Sequence, residues 1–355
     1  MKTLIITKPK NNNKLKTYIM KKLAMGIDIG GTNTAFGLVD EDGTVFCESA
    51  ISTEKYKKFD DYEAYVKALC EAMHALIDSV SFDFHLIGIG IGAPNANYHT
   101  GMIETPANLW KFRDDEPNPD EARRMFHFVD DIKAYFPGID VAITNDANAA
   151  AIGEGVFGNA KGMKDYVVIT LGTGLGSGIV SNGEMIYGHD GFAGEYGHIA
   201  VDSRLTGRDC GCGRKGCLEA YASATGIKRT AFELMAKMSC DSDLRDTPYS
   251  KFEAVMLSMA ADKGDAIAKE AFRYTGEILG RALADLVATT SPEAIILFGG
   301  LAKAGKWIFE PTKWYMEENM LATFKNKVKL LPSGIEGKNA AILGSSALIW
   351  QKVAK

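Results

Sequence analysis

Two stretches of this chain carry one pattern, and that repeat restricts the fold more than any other feature. Residues 25–46 read MGIDIGGTNTAFGLVDEDGTVF, and residues 166–186 read YVVITLGTGLGSGIVSNGEMI. Each is an alternating apolar run, a glycine-rich turn, a second run, a short turn and a third run, as expected of three strands. DIGGTNTAFGLV (28–39) and LGTGLGSGIV (171–180) match in layout. An internal repeat of this kind argues for two related halves, and 355 residues is about two domains of chain. At the first turn, Gly30 and Gly31 let backbone N–H groups approach a phosphate, and Thr32 and Asn33 add polar side chains. Gly172, Thr173, Gly174 and Gly176 repeat that chemistry in the second. Asp28, beside the first turn, is placed to hold Mg2+ through water. The plain alternative is a pair of ordinary hairpin turns. Neither is a Walker A loop, because no Lys-Ser/Thr follows at the required spacing.

The second feature is a cysteine cluster. Residues 188–223 read GHDGFAGEYGHIAVDSRLTGRDCGCGRKGCLEAYAS and hold three of the six cysteines, Cys210, Cys212 and Cys217, with His198 upstream. Thiolates and imidazole suit zinc, and Cys3His fills a tetrahedral structural site with no open position. Glycines 207, 211, 213 and 216 let so short a loop bend around an ion. C-x-C-x4-C is less common than paired C-x-x-C knuckles. The alternative is three loop thiols in a reduced protein, or a stray disulfide. Glu195 and Glu219 flank the cluster and remain available to hydrogen-bond a polar ligand.

The third feature is IDVAITNDANAAAIGEG (139–155), a strand running through Asn145 and Asp146 into an alanine-rich helix. A carboxylate there is either a helix N-cap, which Asp and Asn fill routinely, or a reactive group. HLIGIGIGAP (85–94) reads as a buried strand ending in a loop. ETPANLWKF (104–112) carries Asn108, and Asn118-Pro119 reads as the start of a helix through Tyr135. Apolar residues at helical spacing from Asp265 to Thr290 predict the longest helix, ended by Pro292. EAIILFGG (293–300) is a strand with a glycine turn at Gly299 and Gly300. NAAILGSSALIWQKVA (339–354) reads as a helix.

GEYGH (194–198) and CGCGRKGCLEAYAS (210–223) resemble the ROK family of repressors, open reading frames and sugar kinases, and further motifs recur in order from Gly26 onward. The resemblance implies a two-domain α/β fold of the actin-like ATPase (ribonuclease H-like) type, with a nucleotide and sugar cleft between the domains. The basic, polar residues 1–23 read as a loose extension; the resemblance implies a first domain over 24–144 on which a helix at 340–355 packs back, and a second domain over 145–339 holding the zinc loop. Asn145-Asp146 matches the family's N-D-A-N, whose aspartate is the catalytic base. Gly92, Asn108, Asn145, Asp146, Glu195, His198 and Glu219 correspond to the sugar-contacting positions, His198 serving both sugar and structural Zn2+. Gly299 and Gly300 match glycines on the adenosine side of ATP. The set Glu195, His198 and Glu219 is that of the family's glucokinases, so a glucokinase using MgATP is expected; N-acetylmannosamine and N-acetylglucosamine kinases share it. The chain departs from the pattern at Asn95, where the family has glycine in G-x-P-G, and after Asn108-Leu109, where Pro-Gly is missing. Both departures bear on the sugar pocket.

A formal net charge of −5 gives no basic footprint for nucleic acid, and no apolar run approaches the ~20 residues of a membrane span. Clustered ligand-type cysteines without a secretion signal point to a reducing cytoplasm. The family's kinases lead one to expect a homo-oligomer. A sugar-sensing repressor is the remote alternative, since only 25 residues precede Gly26 and they show no two-helix pattern.

Overall fold

The computed structural model describes residues 4–6, 20–57, 61–106, 109–110, 125–335, 337 and 339–354. The strands in chain order are β1 (Leu4–Ile6), β2 (Lys21–Ile29), β3 (Asn33–Val39), β4 (Val45–Ser52), β5 (Phe84–Gly92), β6 (Ile103–Glu104), β7 (Met125–Phe126), β8 (Val141–Thr144), β9 (Tyr166–Leu171), β10 (Leu175–Ser181), β11 (Glu184–Met185), β12 (Ala294–Phe298) and β13 (Lys329–Pro332). The α-helices are α1 (Tyr62–Ser79), α2 (Phe128–Tyr135), α3 (Asp146–Val156), α4 (Glu219–Ala222), α5 (Ala224–Lys237), α6 (Ala254–Asp262), α7 (Ala266–Thr290), α8 (Lys306–Asn319) and α9 (Ala340–Ala354). Among the described residues no helix is long and apolar enough to cross a membrane. The chain forms two compact units. Unit 1 is Met1–Lys161, Tyr187–Ala193 and Gly334–Lys355; unit 2 is Gly162–Ile186 and Gly194–Ser333.

The repeat in the sequence is a repeat in the sheets. Unit 1 runs β4-β3-β2-β5-β8, and unit 2 runs β11-β10-β9-β12-β13. In both, three hairpin-linked strands are antiparallel, and the first of them pairs in parallel with a later strand. Tight turns allow the antiparallel pairs, whereas a parallel neighbour needs a crossover. α1 supplies it in unit 1, and α4 to α7 lie in the crossover of unit 2.

In β2 the residues Leu23 to Ile27 are all buried, the mark of a central strand covered on both faces. One face, with Leu23, Met25, Ile27 and Ile29, joins a cluster with Tyr65, Leu69 and Met73 of α1. The opposite face receives α9. There a Cβ on Gly26 or Gly90 would run into the backbone carbonyl of Ile342 or Ser345, and one on Gly88 into Ile349. A floor of glycines thus lets the helix backbone lie directly on the sheet. In unit 2 the 25-residue α7 is capped by Asp265, whose carboxylate accepts the Ala268 N–H at 2.8 Å. α8 closes on α7 at Gly276 and Gly280.

The structure corrects three expectations. The domain change falls at Lys161/Gly162 rather than after residue 144, because α3 crosses α9 closely, Gly153 lying against Gly344. The 1–23 extension is not wholly loose: Leu4–Ile6 pairs with Phe84–Leu86 of β5, and Lys21 to Leu23 already belong to β2. The start expected for a helix at Asn118 lies outside the described residues; Met125–Phe126 form β7, paired with β6, and helix begins at Phe128.

Candidate active site and metal centre

In unit 1 the parallel strands end in a row. Asp28 of β2 stands opposite Gly92 of β5, and Gly92 opposite Thr144 of β8. Carboxyl ends of parallel strands are where α/β sheets bind ligands. Gly92 has no room for a side chain, since a Cβ would meet Ser345 Oγ at 2.9 Å and Ala149 at 3.2 Å. The chain leaves β8 through Asn145, the N-cap of α3, whose Oδ1 accepts the Ala147 N–H at 2.9 Å. The cap is therefore filled by Asn145, and Asp146 is the first residue of the helix proper. Asp146 Oδ1 shares the same Ala147 N–H at 2.8 Å.

Asp146 is accessible at its own surface yet surrounded by protein, and the poor solvation of that setting pushes its carboxyl above the usual aspartate value. Burial, and then the charge of Asp146, push Asp28 up to about 6. Thr144 Oγ1 and Asn148 Oδ1, on either side of Asp146, are buried with no hydrogen-bond partner among the described residues. Native proteins seldom leave such atoms unpaired, so both are available to a water or a polar ligand at this end of the sheet.

The first glycine turn closes with Gly30 N–H donating to Asn33 C=O at 3.0 Å, leaving Thr32 and Asn33 exposed. Behind it, Thr32 C=O accepts the N–H groups of Thr53 and Glu54, and Thr34 Oγ1 lies 2.8 Å from Thr53 Oγ1 and 2.7 Å from Tyr65 OH. That buried hydroxyl set has no period or motif to announce it. Asn95 sits at φ 57, so asparagine takes the left-handed turn that glycine would otherwise hold. Asn97 was not anticipated from sequence: it is buried, its amide donates to Asp190 C=O at 2.7 Å, and its oxygen accepts the His99 N–H. It ties the Tyr187–Ala193 segment, with the Tyr98–Tyr187 ring stack, to unit 1. Asn108 lies outside the described residues.

In unit 2 the second turn closes with Gly172 N–H donating to Gly174 C=O at 3.0 Å, and Thr173 is exposed. Thr170 Oγ1 accepts the Gly176 N–H at 3.1 Å. Beside it, Gly299 holds φ 100 with no space for a Cβ against the Leu171 backbone, while Gly300 faces open space. The strand-end turn therefore explains Gly299, and Gly300 leaves a surface a ligand can approach.

His198 and the three cysteines come together with all four ligand atoms within 4.8 Å of one another. Cys212 Sγ and Cys217 Sγ are 3.7 Å apart, as are Cys210 Sγ and His198 Nδ1. Tetrahedral bonds of about 2.3 Å imply edges of about 3.8 Å, so the donors fit a zinc-sized ion. Burial pushes the Cys210 thiol up to about 12, a cost that a bound divalent cation would reverse. Gly213 and Gly216 bend the loop at φ 84 and 74. Arg208, only 6% exposed, anchors it by donating to Glu233 at 2.7 Å and to Ala220 C=O, with its guanidinium over Tyr221. Nδ1 of His198 faces the thiols and Nε2 faces the other way, 3.9 Å from Glu195 Oε2. Glu219 accepts the Leu175 N–H at 2.9 Å through Oε2, while Oε1 lies 3.5 Å from Cys210 Sγ.

The chain is 32% identical over 336 residues to a glucokinase of Halalkalibacterium halodurans, covering 92% of this chain and 95% of that one. A ROK family glucokinase from Streptomyces griseus, solved in complex with glucose and AMPPNP, superposes with a TM-score of 0.73 at 30% identity, covering 92% of this chain and 98% of that one. A ROK family transcriptional regulator, a homologue of the E. coli MLC protein, gives 0.80 at 24% identity, covering 93% and 78%, a likeness of fold alone. The two units share the actin-like ATPase fold of these sugar kinases. With the ROK family model matching residues 24–352, this chain belongs to the ROK family.

Proposed function

We propose that the protein is an ATP-dependent hexose kinase that phosphorylates the 6-hydroxyl of glucose. The observation that carries this is the placement of Asp146: it opens α3 beside Asp28 at the strand ends, while Asn145 does the capping. The glucokinase relatives support the substrate.

Asp146 accepts the proton of the sugar's primary hydroxyl as that oxygen bonds to the γ-phosphorus. The bond from the γ-phosphorus to its bridging oxygen breaks, and ADP departs. Such transfer depends mainly on positioning and charge. The turns at Gly30, Gly31, Thr32 and Asn33 and at Gly172, Thr173, Gly174 and Gly176 cradle the phosphates, through N–H groups other than those of Gly30, Gly172 and Gly176, which close the turns themselves. Asp28 would hold Mg2+, which would neutralise phosphate charge, and Gly299 and Gly300 would border the adenosine. Gly92, Asn108, Asn145, Glu195, His198 and Glu219 orient the sugar. His198, Cys210, Cys212 and Cys217 would hold a structural zinc ion, which would fix the loop; His198 Nδ1 faces the thiols, and its Nε2 is left to donate to a sugar hydroxyl. A cytoplasmic location and a homo-oligomer belong to the same reading, the first because clustered reduced thiols suit a reducing compartment.

An N-acetylhexosamine kinase is the second reading: Asn95 and Thr105 take αL backbone, at φ 57 and 47, in the loop expected to border the sugar, where the chain departs from the family pattern. Release of ADP from MgATP with glucose, mannose, fructose, N-acetylglucosamine and N-acetylmannosamine decides between them. Turnover on glucose that Asp146→Asn abolishes supports the first; strong preference for an N-acetyl sugar replaces it with the second.

A further inference from the structure

Nine residues of unit 2, from Cys217 to Thr225, grip the second glycine turn from behind. Cys217 is one of the four clustered metal-type ligands. Two residues on, Glu219 Oε2 accepts the Leu175 N–H at 2.9 Å, while its Oε1 lies 3.5 Å from Cys210 Sγ, a second member of the cluster. Gly174 lacks a side chain where a Cβ would strike the Glu219 carboxylate. Ala224 N–H then donates to Gly172 C=O at 2.9 Å, and Thr225 Oγ1 to Thr173 C=O at 2.9 Å. Three of the four residues from Gly172 to Leu175 are thus fastened to the segment that Cys217 begins. Among the described residues the first glycine turn is supported differently, by the backbone of Thr53 and Glu54, just past β4, and by the hydroxyls of Thr34, Thr53 and Tyr65.

We infer that Glu219 is a positioning residue for the phosphate-binding turn, and that the metal cluster acts through it to set how well this protein holds a nucleotide. The inference rests on the kinase reading for the identity of the ligand. Metal occupancy then supports nucleotide binding as well as sugar binding. The cluster fixes Cys217, two residues before Glu219, which sets where that carboxylate stands, and the carboxylate holds the Leu175 N–H and the shape of Gly172 to Leu175. One hydrogen bond of this kind, when lost, changes affinity roughly five- to tenfold.

The test is AMPPNP binding by calorimetry with Mg2+ and no sugar, so that any contact of Glu219 with sugar plays no part. Wild type, Glu219→Ala and Glu219→Gln are compared as purified, with metal content by elemental analysis and folding by thermal melting. Wild type is also compared after chelation. We expect Glu219→Ala, folded and metal-loaded, to bind AMPPNP roughly five- to tenfold more weakly. Glu219→Gln, whose amide oxygen can still accept the Leu175 N–H, keeps wild-type affinity. Chelated wild type weakens like Glu219→Ala. Unchanged affinity in folded, metal-loaded Glu219→Ala overturns the inference, whether or not chelated protein stays folded. Equal loss in the Gln and Ala variants also overturns it, since charge and not the hydrogen bond would then matter. Wild type that binds no AMPPNP at all overturns the kinase reading instead.

Discussion

At the scale of single residues, chemistry and stability pull in opposite directions at the paired carboxylates. Asp146→Asn should keep sugar binding and lose about 10²- to 10⁴-fold in turnover, read as kcat beside a sugar Kd. Because poor solvation raises Asp146, the acid limb of kcat/KM should fall at a pH above the ordinary aspartate range. Asp28 is pushed up to about 6, first by burial and then by the Asp146 charge. Its folded pKa lies above its unfolded one, so its contribution to stability is present at low pH and is lost as pH rises from about 4 through about 6. Asp28→Asn should therefore be more stable than wild type at neutral pH, by on the order of 1–3 kcal/mol, with the gain vanishing below about pH 4; melting curves across that range check it. Sequence placed Asp146 at a strand–helix junction but left cap and base as rivals. Position alone suggested a cap and the family resemblance a base; the hydrogen bond from Ala147 to Asn145 shows that Asn145 fills the cap. Asn97, Arg208 and the Thr34–Thr53–Tyr65 set stayed hidden because a buried polar side chain has no period, and its partners lie far away in sequence.

At the scale of elements, what sequence showed well was whatever has a local signature. The strands around both glycine turns, the long α7, and the cluster of Cys210, Cys212 and Cys217 all follow from spacing within a few tens of residues. The arrangement of the loop around its donors is also testable. Cys212→Ser should lose bound zinc, measured by elemental analysis, together with glucose affinity, because His198 and Glu219 take their places from the same cluster. Structural zinc contributes on the order of 10 kcal/mol to folding in small modules; here Arg208, Tyr221 and Glu233 brace the loop independently, so the rest of unit 2 should stay folded. What sequence did not show was the join between the second turn and the metal loop, since Leu175 and Glu219 are 44 residues apart.

At the scale of the whole molecule, the matched strand orders turn a loose similarity between two stretches into one architecture used twice. The boundary was misplaced for a physical reason: α3 follows unit 2's expected start but crosses α9, and close approach through Gly153 and Gly344 has no signature in either segment alone. Gly90→Ala should destabilise unit 1 by about 3 kcal/mol or more, because the added methyl meets the Ser345 carbonyl and not a movable side chain; urea midpoints measure it. The glycine floor beneath α9 also has a consequence for biosynthesis. Chains fold as they leave the ribosome, N-terminal parts first. The sheet of the first unit must wait, with one face bare, until all of the second unit has been translated. During that interval the glycine-lined face has no α9 to cover it.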